Sequence, residues 1–361
     1  PCPYDFMNII ELTRQLIDIP STTSEEAEVG RFLASYLERL GYKVEMQEVE
    51  ANRFNIIATT AAPPRVVLST HMDTVPPYIA SSEDEEFIHG RGACDAKGII
   101  AAQIMAAEEL RKDGLRDIGL LFTVDEELAS IGARAANKHS IASECRYLIN
   151  GEPTDNMLAV GTKGALRLTL RTQGRAAHSA YPEQGDSAIE KLLDVLASVR
   201  AIRWPTNEMF GETTCNIGTL KGGTRSNVIP AEAQAELAIR LTTGAETVRK
   251  ILEERIAGRA QIEYSSAHNP VSLLALEGFE HRVVRFTTDI PYLTKWGQPL
   301  LLGPGSILVA HTEQECVAKR ELVEASHLYV RMVRGLMEHE KRADENVPGE
   351  AEGEIAKGAG R

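Results

Sequence analysis

A histidine and an aspartate stand two residues apart at the end of an apolar run, in the segment 66–73, VVLSTHMD. A run of this length predicts a buried β-strand. Side chains alternate along a strand, so His71 and Asp73 point to one face at its carboxyl end. A histidine that is oriented by a carboxylate is a common metal ligand. A satisfied polar pair in a turn is the alternative interpretation of these two residues alone.

Further acidic and histidine side chains follow other predicted strands or precede helices: Asp95, Glu126, Glu127, Glu152 and His311. Taken singly, each fits a plainer role as a helix cap, a solvated strand end, an exposed turn residue or a surface histidine. Together they would converge with His71 on one edge of a single sheet. Two histidines and three carboxylates without a cysteine form a ligand set for two divalent cations such as Zn²⁺.

The elements that must position these residues alternate between strands and helices, which predicts an α/β fold with a mostly parallel open sheet. Apolar runs at 66–71, 118–124 and 147–150 are the predicted strands, and 99–112 is a predicted helix. Ligands of such sheets bind outside the carboxyl ends of the strands. The sequence therefore places the polar clusters where a site is expected.

Two helices are expected before the first of these strands. The first covers residues 5–18. The second has Thr23 and Glu26 at the spacing of a capping box, and Gly41 is a natural stop at its end.

The hydrophobic pattern changes near Gly164, where apolar and polar residues begin to alternate along the predicted strands. From 165 to 268 the order of elements is β-α-β-β-α-β, which is that of a ferredoxin-like α+β unit. We therefore expect a discontinuous catalytic domain at 1–164 and 269–340 with an inserted lid domain at 165–268. Residues 341–361 lack a core-building pattern and are predicted to be a disordered tail.

Composition excludes several classes of function. The chain has 361 residues, of which 43% are hydrophobic and 25% charged, and its formal net charge is −13. These proportions are typical of a globular protein, and the length favours two domains. The negative charge argues against nucleic acid or an anionic membrane surface as a partner.

The cysteines and the apolar segments indicate a compartment. The five cysteines are scattered and odd in number, which argues against a disulfide framework and favours a reducing compartment. No segment reaches the roughly 18 apolar residues of a membrane span. The first ten residues lack the basic region of a signal peptide. We therefore expect a cytoplasmic protein with no membrane partner.

Seven segments occur in order along the chain: HMDTVP, GRGACDAKG, TVDEE, GEPT, GRAAHSAYPEQG, SNVIPAEA and GPGS…AHTEQE. Together they resemble the co-catalytic di-zinc amidohydrolases and peptidases, a superfamily that includes acetylornithine deacetylase, succinyl-diaminopimelate desuccinylase, aminoacylase and glutamate carboxypeptidase. The resemblance covers about residues 5–340. It implies a zinc-peptidase-like catalytic domain, and a ferredoxin-like lid that also forms a dimer interface.

The resemblance also implies a role for each polar residue of the catalytic part. His71 and Glu152 would hold one zinc, Glu127 and His311 the other, and Asp95 would bridge both. Asp73 would orient His71. Glu126 would be the general base, which takes a proton from water and passes it to the leaving amine. Cobalt or manganese could replace zinc.

Three lid residues have family counterparts as well. His178 would reach the partner subunit's site in a homodimer and stabilise the oxyanion. Asn227 and Arg240 would bind the substrate backbone and carboxylate, since an arginine fork suits a free carboxylate. The other histidines, His268 among them, match no ligand pattern.

The leading expectation is a zinc-dependent hydrolase that cleaves the amide of an N-acyl amino acid, most like acetylornithine deacetylase. Desuccinylation of succinyl-diaminopimelate is the first alternative, and a dipeptidase or carboxypeptidase with the same site is the second. A non-catalytic binding protein on this scaffold is a more remote possibility. It predicts a missing ligand or base, whereas every ligand and Glu126 are present.

Overall fold

A computed structural model describes residues 7–60 and 63–345, with side chains described up to residue 338. The elements before the lid are α1 (Ile9–Ile17), α2 (Ala27–Leu40), β1 (Lys43–Glu50), β2 (Arg53–Thr59), β3 (Val66–His71), β4 (Ser82–Glu83), β5 (Phe87–His89), α3 (Lys97–Lys112), β6 (Ile118–Thr123), α4 (Ile131–Ala136), β7 (Tyr147–Asn150) and β8 (Leu158–Thr162). The lid elements are β9 (Gly164–Gln173), β10 (Ala177–His178), α5 (Ala188–Arg200), β11 (Thr206–Asn207), β12 (Gly211–Glu212), β13 (Thr214–Gly222), β14 (Val228–Ile229), β15 (Glu232–Leu241), α6 (Ala245–Ile256) and β16 (Gln261–His268). The last elements are β17 (Val271–Ser272), β18 (His281–Val284), β19 (Gln298–Leu301), β20 (Cys316–Ala318) and α7 (Lys319–Glu345).

The central sheet has the strand order β1-β2-β6-β3-β7-β19-β8-β17, with β18 beside β8. The four middle strands β6, β3, β7 and β19 are parallel to one another. The strands β1, β2 and β17 add in antiparallel fashion toward the edges. The sheet is therefore mixed, and its parallel part is the part that carries the predicted polar clusters.

The parallel strands are buried because helices cover both faces of the sheet. Every residue of β3 and β6 is buried, which explains why both read as continuous apolar or small runs. Helices α1, α3 and α7 pack on the larger core, whereas α4 and the fully buried Trp296 belong to a smaller one. The strand ends are thus held from both sides.

The lid is a four-stranded antiparallel sheet of order β13-β15-β9-β16, with its own core against α5 and α6. This confirms the predicted β-α-β-β-α-β order and the ferredoxin-like α+β class. Leu166, Leu168 and Leu170 of β9 point into that core. The residues between them lie on the opposite, open face. We keep 1–164 with 269–340, and 165–268, as proposed domain limits.

Two boundaries in the structure differ from the predicted ones, namely the start of the first helix and the end of the catalytic domain. Helix α1 begins at Ile9, because Asn8 and Glu11 form a capping box there. Helix α7 continues to Glu345, which is beyond the predicted limit of the catalytic domain at 340. The rest of the predicted tail, 346–361, lies outside the described residues. Among the helices of the described chain, none is long and apolar enough to cross a bilayer.

The predicted capping box of the second helix is wrong. Helix α2 begins at Ala27, and no side chain caps it. The Thr23 hydroxyl instead donates to Asp73 Oδ2 at 2.8 Å, and Glu26 accepts from the buried guanidinium of Arg53. Both side chains therefore bond to residues distant in the chain, and neither caps the helix. The predicted stop at Gly41 is confirmed, since this residue has a φ of 89°.

Candidate metal centre and substrate cavity

The carboxyl ends of three neighbouring parallel strands bring the predicted ligands together. His71 ends β3, Glu126 and Glu127 follow β6, and Glu152 follows β7. Since β3 lies between β6 and β7 in the sheet, these side chains meet at one edge. The convergence predicted from the sequence is what the sheet produces.

Asp95 lies between the two histidines. Its Oδ1 is 2.9 Å from His71 Nε2, and its Oδ2 is 3.3 Å from His311 Nε2. His311 Nε2 is also 2.9 Å from Glu127 Oε1. Each oxygen of Asp95 thus faces a different imidazole, which is the arrangement that a bridging carboxylate needs. The hydrogen bonds that His311 donates to Asp95 and Glu127 raise the pKa of this imidazole to about 10.

Glu152 provides a test of whether these donors suit a cation. Its side chain is buried, and its Oε1 has no hydrogen-bond partner among the described residues. A buried carboxylate oxygen without a donor is costly unless a positive charge compensates it. Potential ligand atoms of His71, Asp95 and Glu127 all lie within 4.8 Å of one another. The donor set therefore fits divalent metal ions that accept nitrogen and oxygen ligands.

Asp73 lies beneath the candidate ligands and contacts more than one of them. His71 Nδ1 is 3.4 Å from Asp73 Oδ1 and 3.0 Å from the Asp73 carbonyl oxygen, so the Nε2 atom faces Asp95. The backbone N–H groups of Glu126 and Glu127 donate to the same carboxylate, at 3.1 and 3.2 Å. A single buried side chain thus connects a ligand, the predicted base and a second ligand.

A buried ion network outside the predicted site supports the turn that carries Glu126. Arg53 Nη2 donates to Glu26 Oε1 and to Asp125 Oδ1, each at 2.7 Å. Asp125 has a φ of 70°, and its carbonyl accepts from the N–H groups of residues 128, 129 and 130. The network fixes the residue directly before Glu126. Our sequence analysis missed it, although an arginine beginning an otherwise apolar strand was a usable signal.

A second buried pair supports the loop that carries Asp95. Glu315 Oε1 accepts from the N–H groups of Gly92, Cys94 and Asp95, and Arg91 Nη1 donates to its Oε2 at 2.6 Å. Both side chains are essentially inaccessible to solvent. Glu315 is the last residue of the AHTEQE segment, and its acidic type was the one signal for this role.

Glu126 lines the cavity together with the candidate ligands. Among the described residues its carboxylate has no ion pair. Burial raises the pKa of Glu126, and the charge of Glu152 raises it further. Asp289, which accepts from the Thr123 hydroxyl at 2.7 Å, adds a smaller contribution of the same sign. Asp289 carried no sequence signal, because only the fold brings it under the strand ends.

These groups open into a cavity of about 600 Å³ between the central sheet and the lid. Its lining includes Asp95, Glu126, Glu127, Glu152 and His311 on one side, and Arg240 on the other. Arg240 Nη1 is buried without a hydrogen-bond partner, and burial lowers the pKa of this guanidinium. An unpaired buried cation opposite a metal centre is suited to an anionic group of a ligand.

Two predicted lid residues lie elsewhere. His178 pairs with Val228 where β10 meets β14, and the Asn227 carbonyl accepts from the Ser179 N–H at 3.0 Å. His178 is exposed, and neither residue lines the cavity of its own subunit. The structure thus brings His178 and Asn227 together, but not with Arg240.

His268 corrects the sequence analysis in the opposite direction. We expected no role in the site for it, yet it ends β16 and lines the cavity. Its Nε2 is 2.9 Å from the Tyr292 hydroxyl. Burial and the charges of Arg134 and Arg167 lower the pKa of His268. Apolar and polar residues alternate along the lid strands, and only the tertiary structure shows which of the polar residues face the cavity.

Comparison with known proteins identifies the family. Residues 160–266 match the model of a peptidase dimerisation domain, M20_dimer. A peptidase M20 domain-containing protein of Schizosaccharomyces pombe is 40% identical over 338 residues, which cover 90% of this chain and 84% of the relative. The chain belongs to the M20 family of peptidases. This confirms the resemblance to the di-zinc amidohydrolases and peptidases, and the chain is accordingly a metallopeptidase-type enzyme.

Other members have more specific names. A probable carboxypeptidase of Aspergillus terreus is 36% identical over 369 residues, which cover 90% of this M20 chain and 85% of the relative. A tripeptidase from Staphylococcus aureus superposes with a TM-score of 0.74 at 20% identity, covering 90% of this chain and 96% of that one. A dinuclear metal binding M20 peptidase from Bacillus subtilis gives 0.66 at 17% identity, covering 91% and 98%. At these identities the two solved structures support the M20 fold alone.

Proposed function

We propose that this M20 protein is a metal-dependent exopeptidase, which hydrolyses the amide bond next to a free carboxylate in a small peptide. The observation that carries the proposal is the polarity of the cavity. Two histidines and three carboxylates, of which His71, Asp95 and Glu152 are buried, lie on one side, and Arg240 with an unpartnered nitrogen lies on the other. A volume of about 600 Å³ suits a ligand of dipeptide size. The carboxypeptidase name of the fungal relative agrees with this class.

The donor set supports two divalent cations, most simply zinc, with cobalt or manganese as substitutes. His71 and Glu152 would hold one cation, Glu127 and His311 the other, and Asp95 both. The dinuclear Bacillus subtilis relative supports this number. Two bound cations polarise the amide carbonyl and make the attacking water more acidic.

The protein's own residues perform the proton transfers in this proposal. Glu126 lies among the ligands with no ion pair of its own in the described chain, so it is available to accept the proton of the attacking water. It then delivers that proton to the leaving amine. Arg240 binds the substrate carboxylate and so fixes which amide enters the site. Asp73 and Arg53 keep Glu126 and Glu127 in position from behind.

N-acyl amino acids are the second candidate substrates. They present the same two groups as a dipeptide, an amide carbonyl and a free carboxylate, so the Arg240 interaction serves both. Acetylornithine deacetylation and succinyl-diaminopimelate desuccinylation are specific cases of this reaction. The deacetylase was our leading expectation from the sequence, and the names of the relatives favour the peptidase.

We also propose a homodimer formed through the lid. The match of residues 160–266 to a peptidase dimerisation domain supports it. His178 and Asn227 lie away from their own subunit's cavity, which agrees with a role for His178 at the partner subunit's site. Measurement of the molar mass in solution tests the dimer, and a fully active monomer would contradict the shared site.

A reducing, cytoplasmic setting is proposed from the cysteines, of which the four described are free thiols.

The test is the release of free amine from a panel of substrates by metal-stripped protein with and without added zinc. The panel contains dipeptides, a tripeptide, N-acetylornithine and N-succinyl-diaminopimelate. We expect zinc-dependent cleavage of dipeptides and a loss of about 10²-fold or more in kcat for Glu126→Gln, the range of general-base contributions. The matched control is Glu25→Gln, an exposed acidic residue outside the cavity. Zinc binding without cleavage of any compound would favour the non-catalytic binding protein.

A further inference from the structure

Three arginines line the same cavity as the carboxylates of the candidate metal centre. Arg134 belongs to α4, next to the Glu126 turn, whereas Arg167 is on β9 and Arg240 on β15 of the lid. Arg134 and Arg167 are exposed, so a ligand in the cavity can reach them. The proposed function uses Arg240 alone. The other two cations therefore need an explanation of their own.

The register of the lid sheet places Arg167 and Arg240 side by side. Arg240 pairs with Ala165, and Arg167 pairs with Ala238 on the neighbouring strand. Residues that pair directly share a face, and so do residues two apart along one strand. The two arginines are therefore diagonal neighbours on the open face, within reach of one another's long side chains. After burial, the charge of Arg167 is the second cause that lowers the pKa of Arg240.

Within the described residues, no carboxylate pairs with the three arginines. All four acidic residues that line the cavity belong to the candidate metal centre: Asp95, Glu126, Glu127 and Glu152. None of the three arginines forms an ion pair with a residue of the described chain. Arg134 donates its Nε to the Ala129 carbonyl and lies 3.8 Å from the centre of the Tyr292 ring. These interactions orient its guanidinium without neutralising it.

The same face of β9 offers an internal comparison. Arg171, four residues beyond Arg167, donates its Nε to Glu263 of β16 at 3.0 Å. Near Arg167, Ser266 of β16 pairs with the arginine itself, and His268 pairs with Ala165 as Glu263 pairs with Thr169. Both residues line the cavity, and neither is a carboxylate. The lid sheet thus pairs its arginine outside the cavity with a carboxylate, and leaves the arginines inside the cavity without one.

We propose that Arg134 and Arg167 form a second anion-binding subsite beside Arg240, which takes a second carboxylate of the substrate. This inference rests on the proposed function, in which Arg240 takes the first carboxylate. One carboxylate cannot satisfy three guanidinium groups, and planar guanidinium forks favour carboxylates. The substrate class is therefore a peptide or acyl amino acid with two carboxylates. The second one lies either on the released residue or on the acyl half.

The test compares zinc-loaded enzyme on substrate pairs that differ by one charge at nearly equal size. Alanyl-glutamate with alanyl-glutamine examines the released residue, and aspartyl-alanine with asparaginyl-alanine examines the acyl half. We expect kcat/KM to favour the acidic member of one pair by about tenfold or more, as a charge-assisted bidentate contact provides. Arg167→Gln should remove most of that preference and Arg134→Gln part of it. The matched control Arg171→Gln should keep the preference.

Equal kcat/KM within both pairs overturns the subsite, and so does a preference that survives both Arg167→Gln and Arg134→Gln. Failure to cleave any of the four dipeptides overturns the proposed peptidase function instead. A binding measurement then still decides the subsite. In calorimetry on the zinc-loaded protein, glutarate should bind about tenfold more tightly than its monoamide glutaramate, and Arg167→Gln should abolish the difference. Equal binding of the two compounds contradicts the subsite. Because both arginines are exposed, we expect their substitution to leave the melting temperature unchanged. Measurement of that temperature shows whether the variants fold.

Discussion

The two sides of the cavity are built in opposite ways. On the sheet side, a buried side chain supports each segment that carries a candidate site residue. Asp73 supports His71, Glu315 supports the Asp95 loop, and Arg53 supports the Glu126 turn. On the other side, Arg134 of α4 and the lid residues Arg167 and Arg240 have no ion pair within the described chain. Protein groups therefore hold the turns and loops of one side in place, whereas the arginines of the other side depend on a ligand for a negatively charged partner.

This difference has a physical reason. Metal ligands and a general base must hold their positions closely, and buried partners with few alternatives give that precision. A binding group that already has a protein partner must lose it before it meets the substrate. Because the cavity arginines have no carboxylate partner in the described chain, they avoid that loss, although their like charges repel one another. Variants on the two sides should consequently fail in different ways.

The largest effect is expected from Arg53→Met on the sheet side. The change leaves Glu26 and Asp125 buried without their cation, so the free energy of unfolding should fall by about 3–5 kcal/mol. Urea denaturation of the metal-free protein measures this without the contribution of bound metal. At a temperature where the variant is folded, kcat should fall with little change in KM, because Asp125 begins the Glu126 turn. The surface pair Arg31–Glu28 provides the control, and Arg31→Met should cost about 1 kcal/mol or less.

Glu315→Ala should come next. It leaves Arg91 buried and unpaired, with three backbone N–H groups that lose their acceptor. We expect a loss near the lower end of about 3–5 kcal/mol in the same denaturation experiment. Zinc affinity should fall as well, since the Asp95 loop loses its support. A variant as stable as the parent would mean that this side is less dependent on its buried partners than the structure indicates.

Asp73→Asn tests the orientation of the ligands with a smaller effect. Every group that faces the Asp73 carboxylate is a donor: His71 Nδ1, the Thr23 hydroxyl, and the N–H groups of Glu126 and Glu127. An amide nitrogen in place of one oxygen would face a donor. We expect zinc affinity to fall about 10–100-fold, as for other residues that orient metal ligands. Competition with a chelator measures it, and Thr23→Val, which removes one donor, should do less. Unchanged affinity in Asp73→Asn would contradict the role.

Arg240→Gln should have the smallest effect on stability and a clear effect on function. Its guanidinium has a buried nitrogen with no partner, so removing the charge leaves no described group unpaired. The melting temperature should stay the same or rise slightly. The kcat/KM for a dipeptide should fall about tenfold or more because the substrate carboxylate loses a charge-assisted bond. A marked fall in melting temperature would show that the lid side also satisfies its own groups, and the contrast between the two sides would be lost.

Most of the sheet side could be predicted from the sequence. Short apolar runs ending in polar residues gave β3, β6 and β7 close to their observed limits, because buried parallel strands have that pattern. Their ends then had to share an edge. The catalytic and metal-binding roles of the residues there remain predictions that the experiments above test.

The lid side could be predicted only in outline. The order of its elements followed from alternation and turn residues, but its contribution to the cavity did not. His268 matched no ligand pattern in the sequence, yet it lines the cavity. His178 and Asn227 lie outside the cavity of their own subunit, whereas Arg134 and Arg167 carried no signal. Thr23 and Glu26 had the spacing of a cap, yet distant partners bind both.

The sequence by itself determined the elements, the convergence of the polar strand ends, and the family through its ordered motifs. These depend on short-range patterns of apolar and polar residues, which a single chain displays directly. Only the tertiary structure decided which buried charges pair with one another and which cationic side chains face the cavity. Both depend on contacts between residues far apart in the chain, as between Arg53 and Asp125 or Arg134 and Tyr292, and no local pattern encodes such contacts.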